Sequence, residues 1–228
     1  MRFRDREQAG RRLAERLRGV LSGSVAGAAA SPLVLALPRG GIPVAAVVAR
    51  ELRLPLDLLV VRKIALPEEP ELAVGAVANG GATVLNRSLM ATLGVREADL
   101  GPILEREREH AEALDQALRG ELPRQDPSGR TVVVVDDGLA TGATMRAAVA
   151  ALRQRQAAAI IAAAPVGAAS ACRELARQAD QVICLETPEP FHAVGEWYLW
   201  FPQLSDEQAR HCLERSRASE PPPAAHAG

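Results

Sequence analysis

The stretch VVVVDDGLATGAT, residues 132–144, decides the fold. With Thr131 it begins as five residues that show no polar alternation, which predicts a strand buried on both faces in the middle of a parallel sheet. Asp136 and Asp137 follow at the carboxyl end of this strand. Adjacent carboxylates repel each other unless a cation or hydroxyl donors compensate. The acid pair therefore indicates a ligand with hydroxyl groups or a metal.

The loop after the acid pair has the composition of an anion site. Gly138 and Gly142 permit positive φ and close backbone approach. Thr141 and Thr144 add hydroxyl donors. The following helix would begin with the amides of Ala140, Thr141, Gly142, Ala143 and Thr144 converging on a phosphate. There is neither a Walker lysine nor a GxGxxG pattern. Together with the acid pair, the loop predicts a ribose 5-phosphate site; the alternative is an ordinary loop with a capping threonine and surface aspartates.

Strands and helices alternate along the chain. This order predicts an α/β fold with a central, mostly parallel sheet flanked by helices. We predict strands at 33–37, 56–61, 131–135, 158–164 and 181–185, a hairpin at 73–78 and 82–86, and helices at 5–21, 43–53, 87–120, 143–155 and 168–178. Ligands bind such sheets at the carboxyl ends of the strands. The loops at those ends are therefore the candidate sites.

The loop LPRGG, residues 37–41, follows the first predicted strand. Gly40 and Gly41 suggest exposed amides near an anion, and the Arg39 guanidinium offers a fixed fork of donors for phosphate oxygens. A structural turn with a solvent-facing arginine is the alternative.

The segment VRKIALPEEPELAVGAV follows the second predicted strand. Arg62 and Lys63, the only lysine of the chain, stand at its base. A long connection rich in proline and acid is often a lid, which predicts a mobile loop at 64–77. The alternative is a basic pair that makes a surface salt bridge.

Residues 191–208 carry five of the six aromatic residues of the chain. Trp197 and Tyr198 are the candidates for stacking on a planar ligand. We predict that this segment belongs to a small hood formed by 187–215 with the N-terminal region. A satellite hydrophobic core is the alternative interpretation.

The bulk properties are those of an ordinary globular protein. The chain has 228 residues, of which 48% are hydrophobic and 24% are charged. Its net charge is −1, which gives no signal for nucleic acid. The absence of a long apolar run predicts no membrane span, and the charged N-terminus, which does not resemble a signal peptide, makes a cytoplasmic location the default. The three cysteines form no CxxC pair, which favours separate reduced thiols.

Residues 132–144 resemble the signature of the type I phosphoribosyltransferases, which bind phosphoribosyl pyrophosphate (PRPP). Gly138 departs from the bulkier apolar residue often found at that position. The pattern formed by LPRGG, VRK, DDG and the aromatic segment looks closest to a stand-alone bacterial subgroup. The resemblance covers residues 1–215, which it implies are one domain with the type I fold, a flexible loop and a hood. The composition of 216–228 predicts a disordered tail.

The resemblance implies roles for the candidate residues. Asp136 and Asp137 would bind the ribose hydroxyls, and the loop at 138–144 the 5′-phosphate. Residues at 39–41 would bind pyrophosphate, often beside a non-proline cis peptide, with Lys63 contributing from the lid. The expected reaction transfers phosphoribosyl from PRPP to a nucleobase or related acceptor. It would use Mg²⁺ carried mainly by the substrate, and a homodimer is the family expectation. A regulator that binds PRPP or a nucleotide without turnover, and a hydrolase that uses the same site, remain alternatives.

Overall fold

A computed structural model describes residues 2–24, 31–66 and 69–218. The strands in these ranges are β1 (Leu33–Ala36), β2 (Leu56–Leu58), β3 (Val61–Leu66), β4 (Glu69–Ala78), β5 (Thr83–Leu85), β6 (Thr131–Val135), β7 (Ala159–Val166) and β8 (Gln181–Glu186). The α-helices are α1 (Arg6–Ser24), α2 (Gly41–Leu52), α3 (Arg87–Leu93), α4 (Gly101–Arg119), α5 (Ala143–Gln154), α6 (Ala169–Leu175) and α7 (Asp206–Ala218). Two 3₁₀ helices cover Glu97–Leu100 and Val194–Trp197.

The central sheet has the strand order β2-β1-β6-β7-β8, and every pair is parallel. All five residues of β6 are buried, because this strand lies in the middle of the sheet with helices on both faces. One hydrophobic core lies between the sheet and α1, α2 and α7. Another lies between the sheet, α5 and α6. The predicted α/β class and parallel central sheet are confirmed.

The segment predicted to be a mobile loop is instead largely β-structure. Strands β3 and β4 form an antiparallel hairpin, and β5 extends it to three strands. Its apolar residues Ile64, Val74 and Val77 are buried in a third cluster that also includes Leu100 and Ala111. This packing explains why the segment is ordered along most of its length. Residues 67–68 lie outside the described ranges.

Three predicted boundaries need correction. The strand at 56–61 ends at Leu58, and Val61 begins the antiparallel sheet. The helix at 87–120 is interrupted because Gly94 adopts φ 67°, where its amide caps the carbonyls of Met90 and Ala91. The disordered tail predicted at 216–228 is wrong at 216–218, which belong to α7; residues 219–228 lie outside the described ranges.

None of the described helices combines the length and apolar character needed to span a bilayer.

Candidate functional site

The loops after β1 and β6 lie side by side because these strands are neighbours in the sheet. Ala36 pairs with Val135, the last residue of each strand. The amide of Leu37 then donates to the carbonyl oxygen of Val135 at 2.9 Å. Parallel pairing thus brings the predicted pyrophosphate loop and the acid pair to one edge of the sheet.

Gly40 and Gly41 allow the first loop to touch the acid pair. A Cβ atom on Gly40 would lie 2.0 Å from Asp137 Oδ2, and one on Gly41 would lie 2.6 Å from the Val135 carbonyl oxygen. The glycines are therefore required for close packing. The Pro38–Arg39 peptide bond is cis, the feature that the resemblance associates with this loop.

The amide of Gly41 differs from the prediction. Gly41 is buried, and its N–H donates to the Leu37 carbonyl oxygen at 3.0 Å. It is thus not an exposed donor, because it serves the first turn of α2. Gly40 is half-buried and lies beside the acid pair, so its amide stays a predicted donor to an anion.

Arg39 is exposed and forms an ion pair with Asp206 at the start of α7. Its Nη2 donates to Asp206 Oδ2 at 3.3 Å, and this hydrogen-bonded contact raises the pKa of Arg39. A phosphate ligand at Arg39 would therefore compete with Asp206.

The acid pair lies in an electrostatically asymmetric environment. Asp136 Oδ1 accepts a hydrogen bond from the Asp137 amide at 2.8 Å. Burial and the neighbouring charge of Asp137 raise the pKa of Asp136 well above its ordinary value. Burial also raises the pKa of Asp137, but Arg6 opposes that shift. The pair therefore favours one ionised carboxylate, at Asp137.

Arg6 is the site residue that the sequence reasoning missed. Its Nε and Nη2 donate to Asp137 Oδ2 at 2.9 and 2.8 Å, and its Nη1 donates to the Pro202 carbonyl oxygen at 2.9 Å. The guanidinium carbon also lies 3.8 Å from the centroid of the Phe201 ring. Arg6 is the first residue of α1. The sequence did contain a signal, because the helical spacing places Arg6 on the same face of α1 as Leu13 and Leu17, which are buried.

The loop at 138–144 has the backbone expected of a phosphate site, with some donors already engaged. Gly142 adopts φ 68° immediately before α5. The Ala143 amide donates to Thr141 Oγ1 at 3.3 Å, and Arg146 donates to the Thr141 carbonyl oxygen at 2.7 Å. Ala140 and Thr141 are exposed and Thr144 is half-buried. The helix start therefore remains accessible at one side.

Gly138 packs against the hood rather than facing an open loop. A Cβ atom there would lie 2.4 Å from Val194 Cγ1. The bulkier residue that the resemblance leads one to expect cannot fit unless Val194 moves. The departure at Gly138 thus has a packing cause.

A cleft of about 480 Å³ lies between the hairpin, α4 and the start of α5. Lys63 and Thr144 both line it. Arg62, which also lines the cleft, forms an ion pair with Glu107 (Nε to Oε2, 3.1 Å). Burial alone would raise the pKa of Glu107, but this pair helps to hold it below its ordinary value. The cleft thus joins the predicted lid lysine to the predicted phosphate loop, while Arg62 matches the surface salt-bridge alternative.

Tyr198 is a packed residue and not an open stacking platform. It is 5% exposed, and its hydroxyl donates to the Asp137 carbonyl oxygen at 2.6 Å. Its ring lies 4.7 Å from that of Phe201 and 5.6 Å from that of Phe3. The predicted stacking role for Tyr198 is therefore wrong, because neighbouring rings already pack around it.

The other hood aromatics divide between packing and exposure. Trp197 is half-buried, and its Nε1 is enclosed without a hydrogen-bond partner among the described residues. Trp200 is 68% exposed. A planar ligand would thus find an open ring at Trp200, which the prediction did not single out.

The carboxylates fit a magnesium ion that arrives with its substrate. Among the described side chains there is no group of three or more histidine, cysteine, aspartate or glutamate residues that could hold a metal. Mg²⁺ usually keeps several waters and binds through one or two carboxylates together with substrate phosphates. Asp136 and Asp137 match that limited contribution, although Arg6 already occupies one oxygen of Asp137.

Comparison with known proteins adds a family assignment to this geometry. The family model described as the phosphoribosyl transferase domain matches residues 5–200. A crystal structure of a Thermus thermophilus protein is similar at 39% identity and a TM-score of 0.83, covering 94% of this chain and 99% of that one. Two Mycobacterium tuberculosis proteins, one from each of two strains, carry a provisional phosphoribosyl transferase name and are each 40% identical over 214 residues.

The extent of these matches differs. The aligned region is 94% of this chain but only 47% of each mycobacterial protein, so the chain spans about half the length of the curated relatives it matches. The word stand-alone, which the resemblance suggested, thus does not describe these relatives.

Proposed function

This chain belongs to the phosphoribosyl transferase family, and from that premise we propose that it transfers the 5-phosphoribosyl group of PRPP to a nucleobase or related acceptor and releases pyrophosphate. The observation that carries the proposal is the segment after β6, where Asp136 and Asp137 stand at the end of the buried strand and Gly142, in the αL conformation, precedes the start of α5. A carboxylate pair that is followed along the chain by an anion site suits a ligand with a diol and a phosphate, as in ribose 5-phosphate.

The ribose would be held by the acid pair. A carboxylate accepts hydrogen bonds from hydroxyl groups, and such charge-assisted bonds are stronger than neutral ones. Arg6 binds Oδ2 of Asp137, so the second oxygen is the one with capacity for a ribose hydroxyl. Asp136, whose Oδ1 is engaged by an amide, would offer its other oxygen to a ribose hydroxyl as the neutral carboxyl group that its raised pKa favours.

Departure of pyrophosphate from C1 of the ribose leaves positive charge on the sugar and adds negative charge to the leaving group. Lys63, Arg39 and the Gly40 amide are the groups that we propose to stabilise the leaving anion. A donor that is already in place acts on the transition state without reorganising, which applies to the Gly40 amide, whereas Arg39 would first exchange Asp206 for the phosphate. The hairpin that carries Lys63 would also exclude water, which competes with the acceptor for the ribose.

A magnesium ion bound to the pyrophosphate would neutralise part of its charge. Asp136 and Asp137 would orient waters of that ion through hydrogen bonds, because they supply too few ligands to hold it alone.

The test is an assay with PRPP, Mg²⁺ and a panel of nucleobases, in which nucleotide formation is followed by chromatography and pyrophosphate release by a coupled assay. The proposal expects both products, and only when a suitable base is present. Asp137→Asn should abolish turnover in the same assay, and an unchanged rate would remove the acid pair from the site.

The same assay distinguishes the other candidate functions. Release of ribose 5-phosphate and pyrophosphate without a base would identify a hydrolase. Binding of PRPP with neither transfer nor hydrolysis would identify a regulator. The ion pair between Arg39 and Asp206 is the observation that favours a regulator, since it engages a group that turnover would require.

A further inference from the structure

Two cysteines that are far apart in the sequence meet behind the loop at 138–144. Cys172 lies on α6 and Cys184 on β8. A Cβ atom built on Gly167 would lie 3.2 Å from Cys172 Sγ and 3.1 Å from Cys184 Sγ. Both sulfur atoms lie within 3.2 Å of this one point, and the Cys184 thiol donates to the Glu186 carbonyl oxygen at 3.3 Å. Gly167 therefore leaves the space that both sulfur atoms occupy.

We propose that Cys172 and Cys184 are a site of reversible oxidation, at which a peroxide converts the two thiols into one intramolecular disulfide. A disulfide requires side chains that already face each other across a short gap, and the shared space beside Gly167 meets this requirement. Both cysteines are free and half-buried. Thus neither is sealed in the core.

The chemistry assigns Cys172 as the sulfur that reacts first. The Cys184 thiol donates to the Glu186 carbonyl oxygen at 3.3 Å, which holds its proton; the contact with Cys172 and burial raise the pKa of Cys184, whereas the contact with Cys184 lowers the pKa of Cys172. The Cys172 thiolate attacks one peroxide oxygen, the O–O bond breaks, and the departing hydroxide takes a proton to become water. This step leaves a sulfenic acid on Cys172.

The second step closes the disulfide. Cys184 sulfur attacks the Cys172 sulfur and expels hydroxide, which takes the Cys184 proton and leaves as water. In total two thiols lose two electrons and two protons, and one hydrogen peroxide is reduced to two waters. A dithiol reductant reverses the change.

Helix α6 also supports the proposed phosphate loop. A Cβ atom on Gly142 would lie 3.2 Å from Ala171 Cβ and 3.6 Å from Leu175 Cδ1. Arg146 bridges the two elements, because its Nη1 donates to the Thr141 carbonyl oxygen at 2.7 Å and to Glu174 Oε2 at 2.9 Å. The residues beside Cys172 thus hold the backbone of the loop.

Hydrogen bonds of Leu139 also link the loop to the chain segment beside the two thiols. Its amide donates to the Val166 carbonyl oxygen at 2.9 Å, and its carbonyl accepts from the Ala168 amide at 2.8 Å. The chain between Val166 and Ala168 includes Gly167, against which both thiols lie. Formation of a disulfide shortens the contact between the sulfur atoms to about 2.05 Å, which draws α6 toward β8 and away from this arrangement.

Oxidation should therefore weaken binding of PRPP. This second part of the inference rests on the proposed function, whereas formation of the disulfide does not. Coupling between a modification and a binding site commonly changes affinity by about fivefold or more, and we expect the dissociation constant for PRPP to rise by about that factor.

The first experiment detects the disulfide. Full-length protein is reduced, freed of reductant, treated with hydrogen peroxide, alkylated and digested with trypsin. Arg173 and Arg177 lie between the two cysteines, so a Cys172–Cys184 bond joins two tryptic peptides that dithiothreitol separates. Cys172→Ser and Cys172→Ala should give no linked pair. Cys212→Ser, which removes the third cysteine, should give it undiminished.

Full alkylation of Cys172 and Cys184 after peroxide treatment would overturn the inference. Oxidation of Cys212 at the same rate would show that the oxidation is not selective for Cys172 and Cys184.

Titration calorimetry with PRPP then compares reduced and oxidised protein, with peroxide-treated Cys172→Ser as the control. Equal affinity in both states would refute the coupling to the loop. Failure of the reduced protein to bind PRPP would count against the proposed function. The linked peptides would still show whether the disulfide forms.

Discussion

Gly40 is the residue at which the two halves of the candidate site touch. Its backbone has φ −62° and ψ −33°, which any L-amino acid adopts. Glycine is required there because of the short distance to Asp137 Oδ2 and not because of the backbone. A substitution therefore tests the contact without adding backbone strain.

We predict that Gly40→Ala displaces the Asp137 carboxylate and lowers kcat/KM for PRPP by about a hundredfold, since a misplacement of about 1 Å near reacting groups has that effect. The measurement is steady-state kinetics with PRPP as the varied substrate. Gly101→Ala is the matched control, because a Cβ atom at Gly101 meets nothing within 4 Å. Similar activity of both variants would contradict a site built on this contact.

Arg6 controls the charge of the acid pair from a different part of the chain. Its side chain is 10% exposed and that of Asp137 is 13% exposed, so the ion pair is largely removed from water. Loss of one partner of a buried pair leaves the other charge uncompensated, which typically lowers the free energy of unfolding by about 3 kcal/mol or more.

We predict that Arg6→Gln lowers the free energy of unfolding by about 3 kcal/mol, measured by urea denaturation. Arg11→Gln, one turn further along α1 and half-exposed in its pair with Glu7, should change it by roughly 0.5 kcal/mol or less. An equal effect of the two substitutions would show that the Arg6 pair is not a special stabilising contact.

The same substitution should change the pH dependence of binding. Arg6 lowers the pKa of Asp137, so its removal raises that pKa and leaves less carboxylate at a given acidic pH. The acidic limit of PRPP binding should therefore move to higher pH in Arg6→Gln, and return toward the original pH in Arg6→Lys, which keeps the positive charge. Calorimetric titrations across the acidic range test this, and a shift to lower pH would refute it.

At the scale of elements, the β3–β4 hairpin is the part of the fold best suited to close over a ligand. Its apolar face is anchored on α4 through buried Ile64, Val74 and Val77. Lys63 on β3 is exposed in the cleft that Thr144 also lines. The anchored base gives the lysine a defined position at the entrance of the proposed site.

We predict that Lys63→Gln raises the KM for PRPP about tenfold or more, since a hydrogen bond to a charged group contributes about 1.5–3 kcal/mol. The effect should shrink as ionic strength rises, because salt screens an exposed charge. Arg87→Gln, which removes an exposed charge from α3 outside this cleft, is the control. An unchanged KM in Lys63→Gln would exclude the lysine from substrate binding.

At the scale of the whole molecule, one buried ionic network joins the central sheet to the hairpin and to α4. Arg119 pairs with Asp57 on β2 and with Asp115 on α4 (Nη2 to Oδ1, 2.8 Å). Asn79, at the end of β4, donates to Asp115 at 2.7 Å. Arg119, Asp57 and Asp115 are all less than 5% exposed. The network therefore fixes how the two sheets are held together.

We predict that Arg119→Leu lowers the free energy of unfolding by about 3–5 kcal/mol, because Asp57 and Asp115 lose their buried partner. Urea denaturation monitored by circular dichroism measures the change. Arg153→Leu, which breaks the half-exposed pair with Asp180, should cost about 1 kcal/mol or less. Equal losses would show that burial of the network has no energetic consequence.

Asp115 also makes the fold sensitive to acid. Burial alone would raise the pKa of Asp115, but hydrogen bonds from Arg119 and Arg124 outweigh it and hold the pKa below its ordinary value. The folded state then favours the ionised form more than the unfolded state does. Its contribution to stability is present above the unfolded pKa of about 3.9 and is lost as the pH falls below it. Asp115→Asn should remove this part of the acid dependence in denaturation measurements.

Local pattern was sufficient for the parts of the site that lie on one continuous segment. The unbroken valines predict a buried strand, and the acid pair with the glycine-rich loop predicts a diol and a phosphate at its carboxyl end. The parallel order of strands, which brings LPRGG beside the acid pair, also follows from the alternation of elements. The strand, the turn before α5 and the parallel order are confirmed, because strand burial, helix starts and turn residues depend on neighbours in sequence; the diol and phosphate stay a prediction.

Contacts between distant segments were decided only by the tertiary structure. Arg6 reaches Asp137 across 131 positions, Tyr198 is covered by Phe3, and Val194 occupies the space that Gly138 leaves open. The two thiols at Cys172 and Cys184 meet for the same reason. No local pattern encodes such contacts, because they depend on how the packed helices and the hood settle on the sheet. Sequence thus determined the buried strand, the acid pair at its end and the glycine-rich turn, and packing decided which side chains around them remain free.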